Sequence, residues 1–423
     1  MVRKEMNQFV RDRLGNAKTI EDAREVWQTC GNEVDGCALV LASSQQSKLH
    51  FPARIDLSGG GFLRSVFAYD FLHVLSDESI DREVSEGARE SEASYSVSFD
   101  SNTASYLRAW DLGRHDNDNV QKLVQTLNAL GSATGAGGFQ WDYFPFLLER
   151  ADALFQGHDP NFIFETVAAC ERLAACNLAE LGKSGAVTVN VDDQEIKRRA
   201  KSQIESWTQG LQKGLHQEIR HRLNLFYVFV LKAVTIHLKR PKEKDAPAKL
   251  KELLGFLGDS LGCIPQLTAS AGWEFFTRGH GFSPFEKLAS RKPDLKKEAL
   301  NVAWDFLHLQ MGHEFTGFRG PNHSFMLRYF LTFDRPLAGL FDSFPQRSCL
   351  ICPGRLSPLF FADFDFPSQV LDRYPELGPV IAKHFKLGSD EERSARMRTQ
   401  PPDIGSLIAE LESEIDVLVG KTS

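Results

Sequence analysis

The sequence contains little cysteine and no long apolar run. Seven cysteines in 423 residues form no even, regular set, which argues against a disulfide-framed secreted scaffold and favours a reduced, cytoplasmic protein. The most apolar segment, residues 223–238, is interrupted by Asn224, Lys232 and His237. It is shorter than the roughly 20 apolar residues of a membrane-spanning helix. We therefore expect a buried helix there and no membrane association, and the charged first ten residues predict no secretory signal.

Several familiar ligand-binding motifs are also missing. The glycine turn Ser58-Gly-Gly-Gly61 lacks the Lys-Ser/Thr pair of a phosphate-binding loop. Cys349 and Cys352 have C-x-x-C spacing, but no second pair follows, so two small core residues are favoured over a zinc or redox site. His313-Glu314 does not belong to the H-E-x-x-H pattern of zinc proteases. These gaps argue against nucleotide-binding and zinc-dependent classes.

The composition is that of a folded, water-soluble protein with two or three domains. Hydrophobic residues make up 42% of the chain and charged residues 25%, which excludes disorder over the whole length. The net charge is −7, yet residues 196–251 contain 14 Lys and Arg against 4 Asp and Glu. This asymmetry predicts either a segment that contacts a polyanion or a solvated, basic helical face.

Two segments share a strand–Asp–helix pattern. Alternating residues 95–99 predict a strand that ends at Asp100, and a helix follows with Asn102 in its first turn. The apolar run 325–333 predicts an interior parallel strand that ends at Asp334, before a helix with Pro336 in its first turn. In open α/β sheets, sites form at the carboxyl ends of strands. Each Asp could instead simply cap its helix.

Two further carboxylates border the apolar faces of predicted helices. Glu149 lies beside the buried face of a helix predicted over residues 142–155, and Asp305 borders the apolar stripe of a helix that Asp294 caps. Carboxylates at a core border are costly unless they are paired or bind a cation. Four converging carboxylates would repel one another, and a hard divalent ion such as Mg²⁺, which takes oxygen ligands, would relieve that repulsion.

In this order, Val97-Ser-Phe-Asp-Ser-Asn102, Glu149, Asp305 and Leu331-Thr-Phe-Asp334 resemble the PIN domain family. Members of that family are metal-dependent ribonucleases with a Rossmann-like parallel sheet. The resemblance implies Asp100, Glu149, Asp305 and Asp334 as catalytic residues that ligate Mg²⁺ or Mn²⁺. It also implies Asn102 and Thr332 as residues that orient them. Glu298 or Glu314 could replace Asp305, and Asp152 could replace Glu149.

The resemblance covers residues 93–155 and 294–345, which are expected to form the α/β nuclease core. Residues 1–92 are then an N-terminal α/β extension, residues 156–293 a basic helical insertion, and residues 346–423 a C-terminal extension. The insertion would hold RNA phosphates through side chains that share positive charge. They are Lys197, Arg198, Arg199, Lys201, Arg220 and Arg222.

The sequence therefore predicts a cytoplasmic, metal-dependent endoribonuclease that hydrolyses RNA phosphodiester bonds. RNA is the expected partner, DNA is a second substrate class to test, and a regulatory protein or a second copy of the chain could also bind. A role as a toxin or in antiviral defence would suit such an enzyme. The alternatives are a non-catalytic RNA- or protein-binding module on the same fold and a structure-specific DNA nuclease.

Overall fold

The protein is a mixed α/β protein with two β-sheets, one of which contains parallel strands. The computed structural model describes residues 8–47, 49–77, 93–134, 140–177, 180, 189–316, 325–352, 357–386 and 389–420. The helices over these ranges are α1 (Gln8–Asn16), α2 (Ile20–Cys30), α3 (Ser101–Asp111), α4 (Asp118–Thr134), α5 (Phe144–Glu149), α6 (Ala151–Gln156), α7 (Pro160–Ala174), α8 (Asp193–Gly210), α9 (His216–Lys239), α10 (Ala246–Gly255), α11 (Gln266–Arg278), α12 (Leu295–Phe315), α13 (Arg335–Ser343), α14 (Phe366–Arg373), α15 (Gly378–Phe385), α16 (Ser389–Thr399) and α17 (Ile404–Leu418). The strands are β1 (Ala38–Ser43), β2 (Leu49–His50), β3 (Arg54–Asp56), β4 (Phe62–Ser65), β5 (Phe71–Leu75), β6 (Ala93–Phe99), β7 (Gln140–Asp142), β8 (Phe325–Thr332), β9 (Gln346–Ile351) and β10 (Leu359–Ala362).

The first sheet has the strand order β3-β4-β8-β6-β7. Strands β8, β6 and β7 run parallel, and β4 and β3 continue the sheet in antiparallel pairing. The parallel pairing of β6 with β8 joins segments that are more than 200 residues apart, in the register Phe99↔Leu331. The two strands that the sequence predicts before Asp100 and Asp334 are therefore parallel neighbours. The sheet is mixed, however, because β3 and β4, which come from the predicted N-terminal extension, pair in the antiparallel direction.

The second sheet is entirely antiparallel, with the order β10-β9-β1-β5-β2. Its strands come from both predicted extensions. One face of β1 and β9 carries Leu39, Leu41 and Leu350, which share a buried cluster with Trp27 of α2 and with Leu14 of α1. The capping box of α2 satisfies backbone N–H groups at the start of that helix. This sheet therefore has its own apolar core.

The local pattern of residues 62–75 predicts a helix, and that prediction is wrong, since the segment forms β4 and β5 instead. The cause is long-range pairing: β4 lies against β8 and β5 lies against β1. The glycine turn before β4 has a packing role. Gly59 has φ 89°, and a Cβ there would collide with the Lys122 carbonyl oxygen of α4, so only glycine fits.

The helix predicted over residues 142–155 is also wrong in part. Gln140–Asp142 is the edge strand β7, and the following residues form the two short helices α5 and α6, which meet at Arg150. Phe146, Leu147 and Leu148 are buried. Glu149 therefore ends a one-and-a-half-turn helix directly beside the parallel strands, and it does not lie in the middle of a long helix.

The chain divides into two compact units. The first contains Met1–Gln217 and His308–Asp363, and the second contains Glu218–Leu307 and Phe364–Ser423. The boundaries predicted from sequence were residues 93–155 with 294–345 for the core and 156–293 for the insertion. The first unit contains both sheets, the strands of the predicted core and the first part of the predicted insertion.

The second unit is helical and rich in buried phenylalanine. Phe229, Phe275, Phe285 and Phe306 form a network of ring contacts with centroid separations of 4.9–6.3 Å. Such aromatic pairs stabilise a core beyond their buried area. The apolar segment 223–238 lies inside α9 and is largely buried, as the sequence predicts. In the described part of the chain, no helix is long and apolar enough to cross a bilayer.

Candidate functional site

Asp100 and Asp334 lie at the carboxyl ends of the neighbouring parallel strands β6 and β8. Each residue also caps the helix that follows. The Thr103 N–H donates to Asp100 Oδ1 at 2.8 Å, and the Leu337 N–H donates to Asp334 Oδ1 at 3.3 Å. The strand alternation, the Asp residues and Pro336 at the start of α13 produce the two strand-to-helix turns that the sequence predicts.

Thr332, the last residue of β8, connects the two acidic positions. Its hydroxyl donates to Asp100 Oδ2 at 2.7 Å and accepts the Asp334 N–H at 2.9 Å. Thr332 is 0% exposed and Asp100 is 4% exposed. The contact with Asp100 is buried, so solvent competes little for it, and the contact with Asp334 is partly buried. Thr332 therefore makes the hydrogen bond to Asp100 that its predicted orienting role requires.

Burial raises the pKa of Asp100 above its ordinary value, and the negative charge of Glu149 acts in the same direction. The hydrogen bonds from Thr103 and Thr332 act in the opposite direction, but burial outweighs them. Asp100 and Glu149 are therefore close enough to interact electrostatically. A buried carboxyl group with a perturbed pKa is a feature of functional sites, although structural networks produce it as well.

His308 is the direct partner of Glu149. Its Nε2–H donates to Glu149 Oε1 at 2.9 Å, and the Ser101 N–H contacts the same oxygen at 3.4 Å. Burial opposes ionisation of Glu149, but the hydrogen bond and charge of His308 dominate, so the pKa of Glu149 lies below its ordinary value. His308 is 2% exposed. The sequence did not indicate this pair, which joins residues 159 positions apart.

Tyr106 of α3 was missed as well. Burial raises the pKa of its hydroxyl, and the charges of Asp100 and Asp334 both add to that effect. Its ring contacts Phe333 edge-on, with the centroids 5.4 Å apart. The hydroxyl of Tyr106 therefore interacts electrostatically with both carboxylates at this edge of the sheet. Asn102, predicted as an orienting residue, is exposed in the first turn of α3.

A third carboxylate follows the third parallel strand. Asp142 ends β7, accepts a hydrogen bond from the Ser98 hydroxyl at 2.7 Å and pairs with Arg328 at 2.9 Å. The guanidinium of Arg328 lies over the Phe315 ring at 4.6 Å. Asp142 is therefore paired with a cation of the same sheet, and its contacts stabilise the strands beside the site.

Of the remaining acidic candidates, two belong to the second unit and two are paired with a basic side chain. Asp305 belongs to the second unit, three residues before His308 on α12. Glu298 pairs with Lys287 at 3.7 Å in that unit. Asp152, the alternative to Glu149, pairs with His216 at 2.7 Å. Of the four acids in the predicted ligand set, Asp100, Glu149 and Asp334 belong to the first unit. Thr332 links Asp100 with Asp334, and Ser101, which follows Asp100, donates to Glu149.

The structure contains no formed metal centre within the ranges it describes. No three His, Cys, Asp or Glu side chains of those ranges are grouped so that they could hold an ion. The donor chemistry of Asp100, Glu149 and Asp334 suits Mg²⁺ or Mn²⁺, since these ions take carboxylate oxygens. In the structure, Asp100 and Glu149 also accept hydrogen bonds from Thr332, Thr103 and His308.

The predicted RNA-binding cations are largely paired on their own helices. Helix α8 contains four cations and three carboxylates. Arg198 and Arg199 both pair with Glu195, at 2.6 and 2.8 Å, and they lower the pKa of that carboxyl to about 2. Three further pairs share this local spacing of one helical turn: Lys197 with Asp193, Lys201 with Glu205, and Arg222 with Glu218.

This local pairing favours the solvated-face interpretation for α8. Exposed pairs of this kind contribute little to stability and leave a small net charge on the helix. Lys197, Arg198, Arg199 and Lys201 belong to the first unit, whereas Arg220 and Arg222 belong to the second.

Comparisons with known proteins add no relative to these observations, because no family model, curated protein or solved structure matches the chain.

Proposed function

We propose that the chain is a PIN-like, metal-dependent endoribonuclease whose active site lies where β6 and β8 end. The observation that supports this most directly is the hydrogen bond from Thr332 to Asp100. It links the acid after one parallel strand to the T-x-D turn after its neighbour. A pair of unrelated helix caps would not require that contact.

The roles of the protein's own residues follow from their contacts. Thr332 and Thr103 fix the two oxygens of Asp100. His308 keeps Glu149 ionised, since its hydrogen bond stabilises the carboxylate form. Burial and the charges of Asp100 and Asp334 raise the pKa of Tyr106, and its protonated hydroxyl could orient a phosphate oxygen. A divalent ion, when bound, would activate water and offset negative charge on the phosphate.

The described acids do not form a three-ligand group. The second candidate function is a non-catalytic RNA- or protein-binding module on this fold. The observation that favours it is that Asp100 and Glu149 already accept hydrogen bonds from protein donors. Polar groups paired in this way are typical of stable structural networks.

One substitution separates the two candidates. Asp100→Asn retains an acceptor for the Thr103 N–H but removes the charge of the carboxylate. The ribonuclease proposal expects Mn²⁺-dependent RNA cleavage by the parent and its loss by orders of magnitude in the variant. The binding-module proposal expects RNA binding without cleavage in both proteins. Cleavage should be assayed on single-stranded RNA, hairpin RNA and flap DNA, with Mg²⁺ and with Mn²⁺.

Asp403→Asn is the matched control, since Asp403 caps α17 in the same way, with the Ser406 N–H donating at 3.0 Å. Both variants change a capping Asp to Asn, and Asn is an equally good cap. Cleavage that falls equally in both would show a loss of folding, not of chemistry. Calorimetric titration of Mn²⁺ into parent and Asp100→Asn provides a readout that does not depend on activity. Absence of Mn²⁺ binding by the parent would refute the metal-dependent proposal.

A further inference from the structure

Cys37 and Cys352 are cross-strand neighbours at one end of the second sheet. The antiparallel register of β1 and β9 pairs Ala38 with Ile351. The next opposed pair along the two chains is therefore Cys37 and Cys352. Directly opposed residues in antiparallel strands have Cα atoms about 4.5–5.5 Å apart. A disulfide requires a Cα separation of about 4.4–6.8 Å.

The local hydrogen bonding fits a pair whose side chains approach each other. The Cys37 N–H donates to the Val34 carbonyl at 2.9 Å, so it does not donate across to Cys352. Pairs that lack these cross-strand bonds are the closer ones, and their side chains are nearer. The two thiols are hydrogen bonded to each other, and this contact together with burial raises the pKa of Cys37.

The two cysteines differ in access to solvent. Cys37 is 5% exposed, whereas Cys352 is half-buried at the rim of the same apolar cluster. Small reagents can therefore reach Cys352 first, and Cys37 is positioned behind it as the resolving thiol. A partly exposed cysteine with a second thiol in contact is the arrangement of dithiol sites that exchange with small disulfides.

The C-x-x-C spacing is not the relevant pair. Cys349 and Cys352 are three residues apart along an extended segment, which separates their Cα atoms by about 10 Å. They also point to opposite faces of the sheet, since Cys349 opposes Val40 and is absent from the cluster that contains Leu350 and Cys352. A bond between them would require β9 to unfold.

We propose that Cys37 and Cys352 form a reversible dithiol–disulfide site that reacts with low-molecular-weight disulfides of the glutathione type. The Cys352 thiolate attacks one sulfur of the small disulfide, breaks its S–S bond and releases one thiol. The Cys37 sulfur loses its proton to solvent, attacks the Cys352 sulfur of the mixed disulfide and releases the second thiol. The protein loses two hydrogens, and the small disulfide gains them as two thiols.

The product would tie the start of β1 to the end of β9. The bond would link two residues that are far apart in the sequence and belong to the first unit. This site does not depend on the acidic site or on its proposed function. A cross-link of this kind restricts the unfolded chain and should resist unfolding of the second sheet.

The test uses the full-length chain in buffers of graded reduced-to-oxidised glutathione ratio, quenched with a thiol-alkylating reagent. Non-reducing tryptic mapping should reveal a link between peptide 25–48, which contains Cys30 and Cys37, and peptide 348–355, which contains Cys349 and Cys352. Before alkylation, the intact mass should be about 2 Da below that of the reduced chain, as expected for two lost hydrogens. Fragmentation of the linked peptides in the parent assigns the bond without any substitution.

Matched variants give an independent assignment. Cys30→Ser and Cys349→Ser remove the neighbouring thiols on the same two peptides, and the link should persist in both. Cys37→Ser and Cys352→Ser should each abolish it, and Cys37→Ser should retain a single glutathione on Cys352. Three results would overturn the proposal: a link through Cys30, a Cys349–Cys352 bond, or no link at any glutathione ratio in the folded parent.

Discussion

Replacement of Thr332 by Val removes only the hydroxyl that joins the two acidic turns. The change costs the hydrogen bond to Asp100 and the acceptor of the Asp334 N–H, at 2.7 and 2.9 Å. A hydrogen bond to a charged group contributes about 1.5–3 kcal/mol and a neutral one about 0.5–1.5 kcal/mol. Val has almost the same size, so no cavity forms. We expect the free energy of unfolding of the first unit to fall by about 2–4 kcal/mol.

Thr235→Val is the control, because it makes the same chemical change at an equally buried position. Thr235 is 0% exposed on α9, and its hydroxyl has no hydrogen-bond partner among the described residues. Removing an unsatisfied buried hydroxyl should leave stability unchanged or raise it by about 1 kcal/mol or less. The two substitutions therefore have opposite or clearly unequal expected effects.

Urea unfolding gives the global free energy, and hydrogen exchange of the β8 amides gives a local readout in the first unit. The local readout matters because a chain with two compact units need not unfold in one step. Thr332→Val should accelerate exchange in β6 and β8, whereas Thr235→Val should not. If both variants unfold within about 0.5 kcal/mol of the parent, the contact between Thr332 and Asp100 does not stabilise this edge, and the argument for a linked acidic site fails.

Three further predictions concern pH. Burial raises the folded-state pKa of Asp100 above 3.8. Its stabilising contribution is therefore present below pH 3.8 and is lost as the pH rises through the folded-state pKa. Asp100→Asn should be more stable than the parent at pH 7, with a gain in melting temperature that shrinks towards pH 4. For Glu149, whose folded-state pKa lies below 4.5 because His308 outweighs its burial, the contribution is present above pH 4.5 and is lost on acidification. His308→Leu should therefore cost about 1.5–3 kcal/mol at pH 7 and less near pH 3, as measured by urea unfolding. Burial lowers the pKa of His237 from 6.5 to about 4, so the parent should lose stability between pH 6.5 and 4, and His237→Phe should abolish that loss in the melting temperature of the second unit.

The two strand-to-helix turns were predictable because their signals are local. Alternating apolar residues before Asp100 and the apolar run before Asp334 define strands, and each Asp is a preferred cap for the helix that follows. The parallel pairing then places both residues at one edge of the sheet. Each turn is defined by residues within one turn or one strand of each other, whereas the pairing of β6 with β8 joins distant segments.

The errors and omissions share a long-range cause. Residues 62–75 resemble a helix locally, but β4 pairs with β8, more than 260 residues later in the chain. The His308–Glu149 bond and the Cys37–Cys352 pair likewise join distant segments. Nothing in the residues next to His308 or Cys37 indicates these partners. Tertiary pairing decided each case, and single-sequence patterns do not contain it.

The burial of Asp100 is what distinguishes it from an ordinary helix cap. Asp365 and Asp403 cap α14 and α17 with the same side-chain bond to an N–H three residues on, and both are exposed. An exposed cap satisfies the helix without the cost of removing a carboxylate from water. Asp100 makes the same cap at 4% exposure with a raised pKa, which capping does not require. Residues that break a local rule at a stability cost are concentrated at functional sites. A selective effect of Asp100→Asn on RNA chemistry, compared with Asp403→Asn, would assign that cost to function. A purely structural role would leave the interaction with RNA unchanged in both variants, so that Asp100→Asn would differ from the parent in stability alone.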